Sequence, residues 1–357
     1  MSKGAQSRYH RQELLPGVGV EGQRRLGASH ALILGCGALG CGVADQLTRA
    51  GVGRITLIDR DVVELTNLQR QVLFDEQDAA EGLPKAEAAR RRLNEINAQV
   101  RVIAHVADFD ASNAERLCGF TIDDGPDVLL DGTDNFAARL LLNDLAIKHA
   151  VPYVYAGVVG CRGMQMTVFP GGRPCLRCLI ERPPAPGTLP TCDTAGVLGA
   201  VVAIVAGVQA AEALKLMLGR EDLASRSLLE FDIWRNERRR IEMSSAGDGC
   251  ACCGRRQFDY LDGRLGATSA RLCGRDAVQL AGTGAEGPVD LEALAARLRP
   301  HGEATVNRFL LRATLSCEAG DDGGEVGLTV FRDGRTIVRG TTRAERARSL
   351  CAKYLGG

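Results

Sequence analysis

The chain has 357 residues, 45% hydrophobic and 25% charged, a globular composition that excludes a disordered or fibrous protein and allows one large domain with a smaller companion. Its 44 basic and 44 acidic side chains cancel, which argues against a protein held to nucleic acid by bulk charge. The stretch from Met1 to Arg8 is polar and lacks the apolar run of a secretory signal, so the 13 cysteines are expected to be reduced or metal-bound in a cytoplasmic protein.

The first third of the chain alternates strand and helix. His30–Gly35 is a short apolar run, a helical stretch follows at Gly40–Arg49, and Arg54–Asp59 is a second strand. Lys85–Asn97 reads as an exposed, charged helix, and Arg101–Ala107 and Asp127–Asp131 as strands. Phe136–His149 has helical periodicity and Tyr153–Gly157 is the next strand. This spacing predicts a parallel sheet with right-handed crossovers. From Met164–Phe169 the pattern becomes extended, and Arg182–Pro190 has too many prolines for a regular element, as expected of a crossing loop. Ala195–Ala211 carries no charge and approaches the length of a membrane span. Its Ala, Gly and Val content, the internal Gln209 and the close bracketing by Asp193 and Glu212 instead predict a buried or subunit-interface helix and no membrane. Extended segments follow near Ser227–Trp234 and Arg238–Met243.

Ser244–Gly249 is a break in composition, and the expected domains are residues 1–257 and a small α+β unit at 258–357. In the latter, Val289–Leu298 reads as a helix and Thr305–Ser316 as extended. Val326–Arg332 and Arg335–Gly340 make a hairpin around Asp333-Gly334, and Thr342–Leu355 a closing helix. No internal repeat is visible.

Gly35-Cys36-Gly37-Ala38-Leu39-Gly40 fits G-x-G-x-x-G directly after a strand and at the opening of a helix, and Asp59 ends the next strand. Gly35, Gly37 and Gly40 let the backbone approach phosphates, the helix N-terminus favours their charge, and the carboxylate can bind ribose hydroxyls. The motif indicates a nucleotide without specifying a dinucleotide. The continuation, Asp59-Arg60-Asp61 through Asn67-Leu68-Gln69-Arg70-Gln71, is unlike that of a nicotinamide-binding fold. Lys85 opens a helix, Asp131-Gly132-Thr133-Asp134-Asn135 ends a strand, and Arg8-Tyr9-His10-Arg11-Gln12 lies near the N-terminus.

With these motifs in this order, residues 8–255 or so resemble the ThiF/MoeB/HesA family, bacterial relatives of ubiquitin-activating enzymes. The resemblance implies a Rossmann-like α/β fold with a parallel or mixed sheet that binds ATP and magnesium. It also implies adenylation of the C-terminal glycine of a small ubiquitin-like protein ending in Gly-Gly. Asp59 would hold the ribose, Arg70 and Lys85 the phosphates, and Asp134 the magnesium, with Asn67 and Asn135 at the nucleotide. Arg11 would reach the triphosphate from the partner subunit of a homodimer. The carrier could serve thiamine, molybdopterin or thiolated-nucleoside synthesis, or conjugation, with a sulfur donor protein as a further partner. Two cations and a metal suit a departing pyrophosphate, on whose oxygens charge develops.

Cys175-Leu176-Arg177-Cys178 and Cys250-Ala251-Cys252-Cys253 supply two C-x-x-C pairs, and four such thiolates suit tetrahedral zinc. Cys252 is an extra candidate, and Cys253 completes the two-residue spacing. The resemblance implies the same structural zinc held by four cysteines; a redox-active pair is the alternative. Cys192, alone between the proline-rich stretch and a helix, matches the position where sulfur-transferring relatives carry a reactive cysteine, and an incidental thiol is the plain alternative. Cys273-Gly274-Arg275 only faintly echoes a sulfurtransferase loop. The last hundred or so residues look instead like the C-terminal extension of some family members. The terminal Gly356-Gly357 reads as a helix cap rather than as a self-adenylated tail. Two rival readings are a nicotinamide-dependent oxidoreductase and a nucleotide-binding scaffold that has lost catalysis.

Overall fold

The apolar run at His30–Leu34 forms strand β1, and all five of its residues are buried, as expected of a strand covered on both faces. The computed structural model describes residues 7–171, 174–183, 192–243, 249–265, 277–280 and 288–355. Cys273, Gly274 and Arg275, the terminal Gly356-Gly357, and most of the proline-rich stretch and of Ser244–Gly249 lie outside them. Two compact units result, Met1–Gly266 and Ala267–Gly357.

In the first unit, α1 (His10–Glu13) and α2 (Gly19–Ala28) precede β1; α3 (Ala38–Ala50) and β2 (Arg54–Ile58) follow it. Next come α4 (Glu76–Glu81), α5 (Lys85–Ile96), β3 (Arg101–His105), α6 (Ala114–Leu117), β4 (Val128–Asp131) and α7 (Phe136–His149). The remainder is β5 (Tyr153–Val159), β6 (Arg162–Val168), α8 (Leu176–Leu179), α9 (Cys192–Ala195), α10 (Gly199–Met217), β7 (Leu228–Asp232) and β8 (Glu237–Ile241). The eight strands lie in the order β3-β2-β1-β4-β5-β6-β7-β8. From β3 to β5 the neighbours are parallel, and from β5 to β8 they are antiparallel, so the sheet is mixed.

The charged helix α5 departs from expectation. Lys85, Ala86, Glu87, Ala88, Ala89 and Leu93 are buried, because one face packs on α3 and β3 while the arginines take the other. Helix α10 packs on α3, β5 and β6. Its one internal amide, Gln209, is fully buried and donates to the carbonyls of Asp131 and Val154, each at 2.9 Å. Tyr260 and Leu261, beyond the second cysteine pair, are buried in the same core as Leu142 and Leu176.

The second unit is an antiparallel sheet ordered β10-β11-β12-β13-β9, with β9 at Ala277–Leu280, β10 at Gly302–Val306, β11 at Leu310–Ala319, β12 at Glu325–Phe331 and β13 at Thr336–Arg339. Helices α11 (Leu291–Leu298) and α12 (Ala344–Leu355) share its apolar core with Leu311, Leu328 and Val338. The hairpin at Asp333-Gly334 is present, with Gly334 at φ +82. The extended run Thr305–Ser316 is instead two strands. Asn307 breaks it, its Oδ1 accepting from the Phe309 and Leu310 amides at 2.9 and 3.0 Å.

Candidate nucleotide site and metal centre

Parallel sheets bind ligands beyond the carboxyl ends of strands whose connections diverge, and here β1 has β2 on one side and β4 on the other. At that point the chain turns at Gly35, with φ +89, where a Cβ would meet the Gly132 carbonyl oxygen at 2.7 Å. A Cβ at Gly40 would run into the Gly35 carbonyl. These two glycines therefore pack three backbones together, and Gly37 caps the 13-residue α3, whose amides face an incoming anion.

Asp59 laces this turn to the end of β2. Its Oδ2 accepts from the Cys36 amide at 2.6 Å and its Oδ1 from the Asp61 amide at 2.7 Å. Burial raises its pKa and the nearby Lys85 charge opposes that shift. Lys85 is itself buried, with Nζ 3.2 Å from Asp61 Oδ2 and its amide donating to the Asp61 carbonyl at 2.8 Å. Asp59, Asp61 and Lys85 thus form one cluster beside the glycine turn.

Asp134 and Asn135 follow β4 and are exposed, Asn135 using its Oδ1 to cap α7 through the Ala137 amide at 2.8 Å. What fixes this turn was not anticipated. Asp131 is buried, accepts from the Thr133 amide and hydroxyl at 2.8 Å each, and accepts from the Tyr153 hydroxyl at 2.8 Å. Burial raises its pKa, and the Arg139 charge opposes this. The signal was Arg139 itself, the one cation in the otherwise apolar first half of α7, Phe136–Leu142.

Asn67 is buried and its Oδ1 accepts from the Glu64 amide at 3.1 Å, closing a short turn. Arg70 is half-buried and donates to the Thr66 carbonyl at 2.8 Å. A Cβ on Gly199 would come 3.0 Å from the Gln69 carbonyl, so this turn abuts the start of α10. Arg11 is exposed on α1, which is tied to the far end of α3: Gln12 donates to the Ala50 carbonyl at 3.0 Å. The 13 residues of α3 span about 20 Å, so one chain does not bring Arg11 to its own glycine turn. Cys192 begins the short α9, and the following segment joins the β5–β6 turn through Gly160 amide to Gly196 carbonyl at 2.9 Å.

The second constellation lies around α8. The Sγ atoms of Cys175, Cys178, Cys250 and Cys253 all fall within 4.8 Å of one another, with Cys175–Cys178 at 3.9 Å, Cys175–Cys250 at 3.8 Å and Cys178–Cys253 at 3.4 Å. Four thiolates around zinc, each about 2.3 Å from the metal, stand about 3.8 Å apart. Hydrogen bonds from Cys178 and then Cys252 hold the Cys175 thiol well below its usual range, whereas the Cys178 thiol is pushed far up by that same bond and by burial. The Cys253 thiol is raised to about 11 by burial and by the Cys175 charge. Four thiolates this close repel one another, and a soft dication such as zinc would offset that charge. Cys252 is fully buried and accepts from Asn143 Nδ2 at 3.3 Å. Asn143 Oδ1 also accepts from the Leu176 amide at 2.8 Å, and Asp144 Oδ2 from the Tyr260 amide at 2.9 Å, so α7 holds both knuckles.

Residues 9–252 match the ThiF family. The chain is 42% identical over 351 residues to the sulfur carrier protein ThiS adenylyltransferase of Bacillus subtilis, covering 98% of this chain and 99% of that one. It is 39% identical to the sulfur carrier protein adenylyltransferase of Thermus thermophilus, over 69% of this chain and 90% of the other. It is 42% identical to the adenylyltransferase and sulfurtransferase MOCS3 of Mus musculus, where it spans 52% of that protein's length. In fold it is similar to MccB of E. coli solved with ATP, at a TM-score of 0.59 and 25% identity over 70% of this chain and 75% of that one. A match that runs from the first helix to the second cysteine pair, together with identity along nearly the whole chain, makes this protein a member of the ThiF family.

Proposed function

We propose that this protein adenylates the C-terminal glycine of a small ubiquitin-like sulfur carrier with ATP, releasing pyrophosphate. The observation that carries the reading is the identity, over almost the whole of both chains, to an enzyme named for adenylating ThiS. The carrier carboxylate displaces pyrophosphate at the α-phosphorus, and negative charge grows on the departing phosphates. The glycine turn and α3 amides receive those phosphates, Lys85 and Arg70 supply fixed positive charge, and Asp59 orients the ribose. Asn67 and Asn135 flank the nucleotide. Asp134, exposed beside the turn, would hold magnesium, which neutralises charge on the phosphate oxygens.

Arg11 belongs to the site of the other subunit in a homodimer, a reading supported by its position at the far end of α3. The four sulfurs would hold a structural zinc. Cys192 would accept the activated carrier or sulfur from a donor protein. The adenylating domain, expected from the sequence to end at about residue 257, is read to run on through Tyr260 and Leu261 to Gly266, with the remainder a C-terminal extension. A cytoplasmic location fits an enzyme that consumes ATP.

Relatives named as adenylyltransferases leave no support for a nicotinamide-dependent oxidoreductase, and the joint presence of Arg11, Arg70, Lys85 and Asp134 speaks against an inactive scaffold. ATP–pyrophosphate exchange against a panel of small proteins ending in Gly-Gly, ThiS among them, tests the proposal. Exchange that depends on one such protein is expected; no exchange with any of them rejects it.

A further inference from the structure

The stretch Cys250-Ala251-Cys252-Cys253 offers three thiols to a sulfur cluster that takes two of them, Cys250 and Cys253. The third, Cys252, is fully buried beside the cluster and stands outside the four-sulfur group. The turn aims these neighbours apart. Cys253 Sγ lies 3.4 Å from Cys178 Sγ, whereas Cys252 Sγ faces α7, with Asn143 Nδ2 at 3.3 Å.

The partners of Asn143 settle which way its amide points. The Leu176 backbone N–H, 2.8 Å away, can only donate, so it meets the Asn143 oxygen and leaves the nitrogen facing Cys252. The Cys252 sulfur therefore accepts from Asn143, and its own hydrogen is free for another acceptor. Two lie near, Cys175 and the Asp144 carboxylate, and the hydrogen bond with Cys175 is the stronger. Asp144 is engaged elsewhere: its Oδ2 accepts from the Tyr260 and Leu261 amides at 2.9 and 3.4 Å, and Arg177 stands 3.9 Å from its Oδ1. Asn143, Cys252 and Cys175 thus form one chain of donors that ends on a sulfur of the cluster.

A hydrogen bond into a ligand thiolate spreads the charge on sulfur, which makes it a poorer nucleophile and fixes its direction toward the metal. We propose that Cys252 is a positioning residue of the metal centre and not one of its ligands. Its thiol, oriented by Asn143, donates to Cys175, and the four-sulfur site is thereby slow to lose its metal and slow to react with electrophiles. This assignment rests on the zinc reading and is independent of the adenylation reading.

The intact protein, loaded with zinc or with cobalt(II), separates these roles. Cobalt held by four thiolates gives strong sulfur-to-metal charge-transfer bands. The parent, Cys252→Val, Cys252→Ala and Cys252→Ser are each expected to hold about one metal per chain with the same bands, whereas Cys253→Ser loses them. Zinc release driven by iodoacetamide, followed with a colorimetric chelator, should be about tenfold faster from Cys252→Val and Cys252→Ala than from the parent. Cys252→Ser keeps a donor of similar size and should release at nearly the parent's rate. Loss of the bands in the Cys252 variants, with retention in Cys253→Ser, makes Cys252 a ligand and overturns the assignment. Equal release from the parent and from whichever of Cys252→Val and Cys252→Ala folds overturns it as well. A parent that takes up neither metal overturns the zinc reading and the role of Cys252 with it.

Discussion

Asp131 and Arg139 form a buried ion pair, Nε to Oδ2 at 3.4 Å, whose two members grip opposite ends of Thr133. Asp131 Oδ1 accepts from the Thr133 amide, and Arg139 donates to the Thr133 carbonyl at 2.5 Å. The next residue is Asp134. Its position is therefore set by a buried charge pair, while Gly132 packs against Gly35 and ties the same turn to the glycine turn after β1.

Arg139→Ala leaves the Asp131 charge buried without its partner, and a loss of about 3–5 kcal/mol in urea unfolding is expected. Tyr153→Phe removes one hydrogen bond to that carboxylate, and about 2 kcal/mol should be lost. Equal stability of Arg139→Ala and the parent would mean that the pair does not hold the turn.

Asp134→Ala should abolish ATP–pyrophosphate exchange while leaving the melting temperature near that of the parent, because the side chain is exposed and packs in no core. Lys85→Ala should weaken exchange strongly and also lower stability, since Lys85 is buried against Asp61. Normal exchange by Asp134→Ala would remove that residue from the metal site.

Metal analysis of protein purified without chelator should find about one zinc per chain. Cys175→Ala should lower both the zinc content and the melting temperature, because Cys175 and Cys250 join segments 75 residues apart. Zinc-free protein with an unchanged melting curve would contradict the structural role.

Cys192→Ser should retain exchange yet lose any adduct with the carrier that a reductant can break. Equal sulfur transfer by variant and parent would make this thiol incidental.

His30 confers a pH dependence. Arg54 donates to its Nδ1 at 2.9 Å and its Nε2 lies 2.8 Å from the Thr56 hydroxyl, an arrangement that suits the neutral ring. Burial, then the Arg54 charge, lowers its pKa to about 4. The unfolded chain, with an imidazole near 6.5, binds the proton first as the pH falls. The His30 contribution is therefore full above about pH 6.5 and is lost down to about pH 4, at most about 3 kcal/mol. Urea unfolding across this range should show a slope that His30→Gln reduces; identical slopes would refute it.

Much of this was legible because long apolar runs and glycines leave strong periodic and turn signals. The β1–Gly35–α3 unit, the Phe136–His149 helix and the Asp333-Gly334 hairpin all appear where their residues suggest. Thr305–Ser316 misled because β-forming residues flank Asn307 on both sides, and the side-chain turn it makes has no hydrophobic period. Ala277–Leu280 was too short to stand out. The partners of Asp131 come from α7, β5 and α10, and long-range pairing of that kind leaves no local mark. The burial of Lys85 was hidden for the related reason that charge at the head of a helix reads as surface.

Gln209 gives α10 a destination. By composition the helix Gly199–Met217 suits a lipid bilayer, with a mean hydropathy of 1.7. Its amide instead satisfies two backbone carbonyls, at the ends of β4 and within β5, that no hydrocarbon could satisfy. Replacing it by leucine would make the segment a better passenger for membrane insertion and a poorer lid for its own sheet, leaving both acceptors without this donor. A single side chain thus biases one greasy helix toward the protein interior rather than a bilayer, through acceptors that β4 and β5 supply.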